Sequence, residues 1–328
     1  MRRKQWGVIT VTLIVMAAIF TLDSSITGYV DAVKQGSGLT AVKEVFISND
    51  QTLRERIEAE AANRSIAPVD ARVDRVWKAI PGYNGLEVDI EQSIAASNKL
   101  PDGNIQLVYR EVEPRVHLDD LGRYPIYKGN PNKPMVALMI NVAWGNEFLE
   151  PMLKVLKDEQ VKATFFLDGS WLKKNADLAR QIQAEGHEMS NHAYSHPDMS
   201  TLGRTEAYQQ IARTEQLLKQ ELKVDNIWFA PPSGDYNQTT VEVAADQGLK
   251  TVLWTLDTLD WKKPSPESIV RKIAARVEPG TLILMHPTSS SSQALSGIIR
   301  EIRRKGLQPD TVSSTLSPKR AAAVETAP

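Results

Sequence analysis

Apolar, strand-like runs alternate with helical patterns between residues 135 and 305, and this alternation restricts the fold of the 328-residue chain more than any other feature. Strand-like runs stand at 136–141, 161–169 and 281–286. Helical patterns stand at 147–159, 176–185, 205–222, 239–247, 266–276 and 294–305. Alternating strands and helices predict an α/β fold with a parallel sheet and right-handed crossovers. We therefore expect functional side chains at the carboxyl ends of the strands.

A histidine pair follows one of these runs. The stretch 186–197 contains three of the five histidines in the chain, and His192 and His196 stand four residues apart. That spacing lets two imidazole rings approach one ion from a helical turn or a tight loop. Neutral imidazole is a good ligand for zinc and related metals. The same spacing also occurs in surface turns that bind nothing, so the surrounding motifs decide between the two interpretations.

The composition limits the chemistry. The chain has no cysteine, which excludes disulfides, thiolate ligands and thiol nucleophiles, so any metal must be held by nitrogen and oxygen. A formal net charge of -1 gives no reason to expect a nucleic-acid partner. The length and the 42% apolar content are typical of one large globular domain with a smaller one.

The first 22 residues have the pattern of an export signal. Arg2, Arg3 and Lys4 precede an apolar run at 7–22. No small-x-small cleavage site follows cleanly, which favours an uncleaved membrane anchor; a cleaved signal peptide is the alternative. Either way, the basic start predicts a cytoplasmic N-terminus and an extracytoplasmic remainder.

The rest of the chain divides into regions of different character. Within residues 41–130 we expect a charged helix at 51–63, an amphipathic segment at 71–80 and a strand at 105–112. The predicted divisions are a signal anchor or signal peptide at 1–22, a spacer at 23–40, a small mixed α+β membrane-proximal region at 41–130, the main domain at 131–317 and a disordered tail at 318–328.

Five short motifs follow one another through the main domain, at 139–143, 191–197, 229–232, 257–261 and 284–286. Their order and spacing resemble the polysaccharide deacetylases, the family-four carbohydrate esterases with a NodB homology domain, over residues 131–317. The resemblance implies an irregular (β/α) barrel with fewer than eight full units. It also implies metal-assisted removal of acetyl groups from an N-acetylated glycan. Residues 41–127 more loosely resemble a membrane-proximal module of sporulation-associated, deacetylase-like proteins from spore-forming bacteria.

Three of the five motifs keep the residues of the family. The resemblance implies that His192 and His196 are metal ligands, with zinc the expected divalent ion. It implies that His286 is the catalytic acid, tuned by the aspartates of the fourth motif, Asp257 and Asp260, because a nearby carboxylate raises the pKa of an imidazole and fixes its tautomer. The alternative for His286 is a buried, hydrogen-bonded histidine at a strand end.

The other two motifs are altered. Asn141 and Val142 stand where the family has the base and third-ligand aspartates, and Ala230 stands where the family arginine holds that base. An amide cannot take a proton near neutral pH, and loss of a general base costs about 10²- to 10⁴-fold in rate. A buried arginine facing a neutral residue would be an unpaired charge, so its loss accompanies the first change. Asp168, at the end of the second strand, is a possible substitute carboxylate.

These observations predict a polysaccharide deacetylase-like hydrolase of the cell envelope, linked to sporulation or envelope metabolism, with its activity reduced or lost. The alternative is an inactive glycan-binding or scaffold protein. In both cases the expected partner is peptidoglycan or a chitin-like glycan, contacted by Trp261 and Tyr236, although Trp261 could instead be a core aromatic. The expected location is outside the cytoplasm, anchored to the membrane by residues 7–22.

Overall fold

The structure, a computed structural model, describes residues 51–321. The predicted anchor, the spacer and most of the predicted tail lie outside the described residues. No helix within 51–321 is long and apolar enough to cross a membrane. The described chain forms two compact units, one of residues 51–65 with 87–110 and the other of 66–86 with 111–321. This division does not coincide with the boundary expected at residue 130.

The second unit begins with a short antiparallel hairpin. Strands β1 (Arg72–Asp74) and β2 (Lys78–Ile80) pair across a turn in which the Asp74 carboxylate accepts hydrogen bonds from the backbone amides of Val76 and Trp77, both at 2.8 Å. The amphipathic segment predicted at 71–80 is therefore divided into two short strands. The alternation of apolar and polar residues is real, but an aspartate-stabilised turn divides it.

The smaller unit is mainly helical. Residues 51–61 are helical, in agreement with the charged helix predicted there. Strand β3 (Gly85–Val88) begins in the second unit and ends in the smaller one, where it leads into helix α1 (Ile90–Ser97). Asp89 caps this helix by accepting a hydrogen bond from the Gln92 amide at 2.9 Å. Strand β4 (Tyr109–Val112) covers only the second half of the strand predicted at 105–112.

A parallel sheet of eight strands dominates the second unit and confirms the predicted α/β class. The order along the sheet is β10-β11-β5-β6-β7-β8-β9, and β12 pairs with the first residues of β5. Within the described chain no ladder joins β9 to β10, so the barrel is incomplete, as the resemblance implied. The strands are β5 (Met135–Val142), β6 (Thr164–Leu167), β7 (Glu188–Asn191), β8 (Trp228–Phe229), β9 (Lys250–Thr251), β10 (Leu256–Asp257), β11 (Leu282–Met285) and β12 (Gln308–Asp310).

Helices connect these strands, and all six predicted helices are present. They are α2 (Asn146–Asp158), α3 (Gly169–Lys174), α4 (Ala176–Ala184), α5 (Arg204–Leu217), α6 (Gln238–Asp246), α7 (Pro266–Arg276), α8 (Ser289–Arg304) and α9 (Val312–Leu316). A π-helical turn, Leu218–Leu222, continues α5 over the rest of the predicted 205–222 helix.

Strand β5 separates two hydrophobic cores, and all eight of its residues are buried. The outer core lies between the sheet and helices such as α2 and α8, and it includes Ile140 and Val142 of β5. The inner core lies on the other face of the sheet and includes Met139 and Phe166. Because side chains alternate along a strand, Asn141 shares its face with Met139 rather than with Val142.

Candidate active site

Six of the predicted site residues line one cleft of the second unit, at the carboxyl ends of the strands. The cleft has a volume of about 420 Å³. Its position confirms the expectation from the parallel sheet, because the strands β5, β7, β10 and β11 each end at it. The lining residues are Asn141, Ala143, Trp144, His192, His196, Ser233, Trp254, Asp257, Trp261, Leu284 and His286.

A tight loop after β7 brings the two histidines together. Ala193 and His196 have left-handed backbone conformations, with φ of 58° and 55°. The Asn191 side chain stabilises the bend by accepting a hydrogen bond from the Ala193 amide at 2.8 Å. As a result the rings of His192 and His196 lie 5.3 Å apart, edge to face.

The tautomer of His192 is fixed by the backbone. Its Nδ1 lies 2.7 Å from the carbonyl oxygen of Ala230. A carbonyl can only accept, so Nδ1 carries the proton and Nε2 keeps its lone pair. His192 is 1% exposed, and burial, with the neighbouring charge of His196, lowers its pKa to about 3. The ring is therefore neutral at physiological pH, and Nε2 can accept a hydrogen bond or bind a metal.

The Asp260 carboxylate and the partly exposed His286 imidazole form a hydrogen-bonded pair. The Asp260 carboxylate is fully buried and accepts hydrogen bonds from His286 Nδ1 at 2.9 Å, from the His286 amide at 2.6 Å and from Ser291 Oγ at 2.5 Å. Burial alone would raise the pKa of this carboxyl, but its three donors outweigh burial and hold the pKa below the ordinary value. Because the carboxylate accepts from Nδ1, Nε2 of His286 is left unprotonated when the ring is neutral.

The positions that hold the base, the third metal ligand and the arginine in the family carry no ionisable group in this chain. Asn141 is 3% exposed, and Oδ1 of its amide accepts no hydrogen bond from the described chain. Val142, in the position of the family's third ligand, packs into the outer core and does not line the cleft. Ala230 contributes its methyl group to the inner core. The base, the third ligand and the arginine are therefore replaced by an amide, a core residue and a small apolar residue.

The donor set does not complete the metal site that the family uses. Two imidazoles are present, but zinc sites generally need at least three protein ligands. Within residues 51–321 no group of three His, Cys, Asp or Glu side chains is arranged to hold a metal ion. Asp168 does not supply the missing ligand: it is 2% exposed, does not line the cleft and caps α3 through the Trp171 amide at 2.9 Å.

Three tryptophans form the walls of the cleft: Trp144, Trp254 and Trp261. Trp144 and Trp261 are 47% and 55% exposed, unusually large fractions for tryptophan. The Trp144 ring stacks on His286, with 5.9 Å between centroids and 11° between planes. Aromatic rings of this kind suit the apolar faces of pyranose sugars.

A close backbone contact fixes Trp144 in place. Gly145 has a φ of 83°, and a Cβ at this position would lie 2.1 Å from the Pro287 carbonyl oxygen. Only glycine permits this approach between the loops that follow β5 and β11. The sequence analysis did not identify Trp144 or Trp254 as site residues; the signal for Trp144 was its position directly after the altered first motif.

The structure does not bring Tyr236 into the cleft. Its hydroxyl instead pairs with the hydroxyl of Tyr127 at 2.7 Å. Burial, and then this hydrogen bond, raise the pKa of Tyr127. The predicted Trp261 and Asp257 do line the cleft, and Asp257 Oδ1 accepts a hydrogen bond from the Leu259 amide at 2.7 Å.

The fold is an incomplete α/β barrel with a cleft at the carboxyl ends of its parallel strands, and comparison with known proteins identifies its family. Residues 128–252 match the polysaccharide deacetylase family. A peptidoglycan-N-acetylglucosamine deacetylase of Bacillus cereus is 34% identical over 57% of this chain and 70% of that protein. The uncharacterized protein YlxY of Bacillus subtilis is 45% identical over 82% of this chain and 84% of that protein.

Among solved structures, a CE4 family pseudoenzyme from Bacillus anthracis matches with 42% identity and a TM-score of 0.76, over 82% of this chain and 96% of that one. A mutant of that pseudoenzyme has restored enzymatic activity. The present chain belongs to the polysaccharide deacetylase family, carbohydrate esterase family 4.

Proposed function

We propose that this protein binds N-acetylated cell-wall glycan in the tryptophan-walled cleft and hydrolyses its acetamido groups slowly or not at all. The observation that carries the proposal is that some functional groups of the cleft are retained while others are replaced. The aromatic walls and the Asp260–His286 pair are intact, whereas Asn141 and Val142 cannot act as base and metal ligand. Loss of a base alone lowers the rate about 10²- to 10⁴-fold, but the walls that hold a sugar do not depend on it.

The relatives support the substrate class. One is a peptidoglycan-N-acetylglucosamine deacetylase, and others are chitooligosaccharide deacetylases. For this chain we accordingly propose peptidoglycan or chitin-like oligosaccharides as ligands. Residual deacetylation is the second candidate function, and the intact Asp260–His286 pair favours it, since this acid could still protonate a leaving amine. If a metal takes part in that residual activity, zinc held by His192 and His196 is the candidate.

Titration calorimetry with N-acetylchitotetraose and muropeptides, in parallel with an acetate-release assay, tests the proposal. We expect saturable binding and acetate release at least about 100-fold below that of an active relative. Trp144→Ala and Trp261→Ala should each weaken binding about tenfold, because losing about 55 Å² of apolar contact at about 25 cal/mol per Å² corresponds to about 1.4 kcal/mol. Tyr208→Ala is a matched control: Tyr208 is 48% exposed but lies outside the cleft. Absence of glycan binding would refute the proposal, and rapid acetate release abolished by His286→Ala would favour the second candidate.

The proposed location is the outer face of the membrane, with the chain anchored by residues 7–22 and acting in sporulation or envelope metabolism. The basic, then apolar, start of the chain supports export. Cell fractionation tests the location: recovery in the membrane fraction, with the protein accessible to added protease, is expected. Recovery in the cytosol would refute it. Expression confined to sporulating cells would support the sporulation role, and unchanged expression through growth and sporulation would support general envelope metabolism.

A further inference from the structure

Residues 125–128, the strap, contact the chain at the open seam of the barrel. Among the described strands no ladder joins β9 to β10. Just after β9, Ile126 of the strap pairs with Val252 in a parallel bridge, and both residues are buried in the inner core. The Ile126 amide donates to the Thr251 carbonyl at 2.9 Å, and its carbonyl accepts from the Leu253 amide at 2.8 Å. The strap therefore extends the sheet at the edge where the barrel is incomplete.

The next residue of the strap, Tyr127, holds two loops of the cleft. Its backbone carbonyl accepts a hydrogen bond from Thr255 Oγ1 at 2.7 Å, and Thr255 is the chain neighbour of the cleft residue Trp254. Its hydroxyl pairs at 2.7 Å with the hydroxyl of Tyr236, in the loop that places Ser233 at the cleft. Burial, and then this hydrogen bond, raise the pKa of Tyr127, so its hydroxyl keeps its proton at physiological pH.

The two loops that Tyr127 holds pack against each other. Gly234 has a φ of 68°, and a Cβ at this position would lie 2.7 Å from Trp254 Cη2. The Trp254 ring therefore rests directly on the backbone of the loop 231–237. Ser233, beside Gly234, also has a left-handed conformation, with a φ of 55°, which a non-glycine residue keeps only where its surroundings hold it. A displacement of this loop would move Trp254 and Ser233, both of which line the cleft.

We propose that Tyr127 is a positioning residue, which holds the loops of Trp254 and Ser233 in the arrangement that binds the glycan. This inference rests on the proposed function. Tyr127 stands one residue before the family match at 128–252, so a segment outside that match sets the geometry of the cleft. The strap is in turn bridged to the β1–β2 hairpin, through Lys78 and Ile126. The region before the family domain thereby contributes to ligand affinity without touching the ligand.

The experiment removes one hydroxyl at a time from the full-length protein, with Tyr127→Phe, Tyr236→Phe and the double variant. Calorimetry with N-acetylchitotetraose should show an affinity about three- to tenfold lower for each single variant, which corresponds to one neutral hydrogen bond. The double variant should bind no more weakly than either single variant, because both single changes break the same bond. Tyr208→Phe is the matched control: Tyr208 is 48% exposed and lies outside the cleft, so its affinity should not change.

Tryptophan NMR provides a readout that a merely structural bond would not move. The chain has seven tryptophans, and Trp254→Phe assigns the indole N–H signal of Trp254 in a ¹H–¹⁵N spectrum. Tyr127→Phe and Tyr236→Phe should each shift this signal in the ligand-free protein, because the loop that Tyr236 holds contacts the Trp254 ring. The signals of Trp144, which follows β5, and of Trp171, in α3, should stay in place.

The outcomes are distinct. A loss of affinity confined to one single variant, additive losses in the double variant, or an unmoved Trp254 signal would overturn the role of Tyr127 while leaving glycan binding in place. A lower urea midpoint with unchanged affinity would make the bond purely structural and overturn the inference as well. An equal loss of affinity in Tyr208→Phe would do the same. If the wild-type protein does not bind the oligosaccharide, the proposed function itself fails, and the Trp254 signal alone decides whether Tyr127 positions the two loops.

Discussion

Replacing Asp260 with asparagine should invert the tautomer of His286. In the native protein Asp260 Oδ1 accepts from His286 Nδ1, and Oδ2 accepts from the His286 amide and from Ser291 Oγ. An asparagine has one acceptor oxygen, which keeps two of these bonds if it takes the place of Oδ2. Its NH₂ group then faces His286 Nδ1, which must accept. The ring proton of neutral His286 therefore moves to Nε2, the atom that should act on a ligand.

The stability cost of Asp260→Asn follows from the same three contacts. A hydrogen bond to a charged acceptor contributes about 1.5–3 kcal/mol and a neutral one about 0.5–1.5 kcal/mol. Weakening two bonds and reversing the third should therefore cost about 3–4.5 kcal/mol at pH 7. The folded state lowers the pKa of Asp260, so its contribution is fully present above the unfolded pKa of about 3.9 and is lost as the pH falls through the lower folded value. The difference between wild type and variant should therefore shrink below about pH 4.

Urea unfolding at pH 7 and pH 3.5 measures the cost, and long-range ¹H–¹⁵N NMR identifies the protonated nitrogen of His286. Asp257→Asn is the control, because Asp257 is half-buried and its carboxylate accepts a hydrogen bond from the Leu259 amide. We expect the control to lose less than about 1 kcal/mol. A loss below about 0.5 kcal/mol for Asp260→Asn, or a proton that stays on Nδ1, would refute the assignment of Asp260 as the group that orients His286.

Three further predictions concern the cleft and its supports. The first is a triple variant that restores the family residues: Asn141→Asp, Val142→Asp and Ala230→Arg. This variant should bind metal in calorimetry and release acetate at least about 100-fold faster than wild type. A triple variant that does neither would show that more of the site has been lost. Gly145→Ala should lower the free energy of unfolding in urea by about 3 kcal/mol or more, because its Cβ would clash with Pro287. Gly248→Ala is the control: Gly248 also has a positive φ but faces open space, so this variant should lose only about 1 kcal/mol. Equal losses would contradict the role of the Pro287 contact. Lys133→Met should lose about 2–3 kcal/mol in the same assay. The buried Lys133 ammonium donates hydrogen bonds to the backbone carbonyls of Ser314 and Ser317, at the end of α9, at 2.6 and 2.7 Å. An unchanged urea midpoint would contradict this role.

Local pattern predicted most of the elements, and local polar contacts explain where it failed. The predicted helix 266–276 has the bounds of α7, whose start carries both a Ser265 cap and a proline. Helix α8 starts at Ser289, five residues before its predicted start, because Thr288 caps it and the serines that follow carry no apolar signal. At 71–80 the pattern predicted an amphipathic segment, and the turn stabilised by Asp74 makes this segment a hairpin.

Motif order predicted which histidines and aspartates would meet, whereas side-chain direction could not be obtained from it. His192, His196, Asp257 and His286 all line one cleft, as strand-end positions in a parallel sheet should. Asp168 occupies a similar strand-end position, but its carboxylate turns back to cap its own helix. The exposure of Trp144 depends on the close approach of Gly145 to Pro287, which are 142 residues apart in the chain. No local pattern in the sequence predicts this contact.

The two-sided burial of β5 has an evolutionary consequence. Val142 fills part of the outer core, so the change that removed a metal ligand also added apolar contacts to a central strand. Reversion to aspartate at this one position would bury a carboxylate, and without a bound ion and the neighbouring Asn141 and Ala230 also reverting it would bring no activity in return. Each single reversion is therefore expected to lower stability without restoring activity, so the three positions should regain function only when they change together.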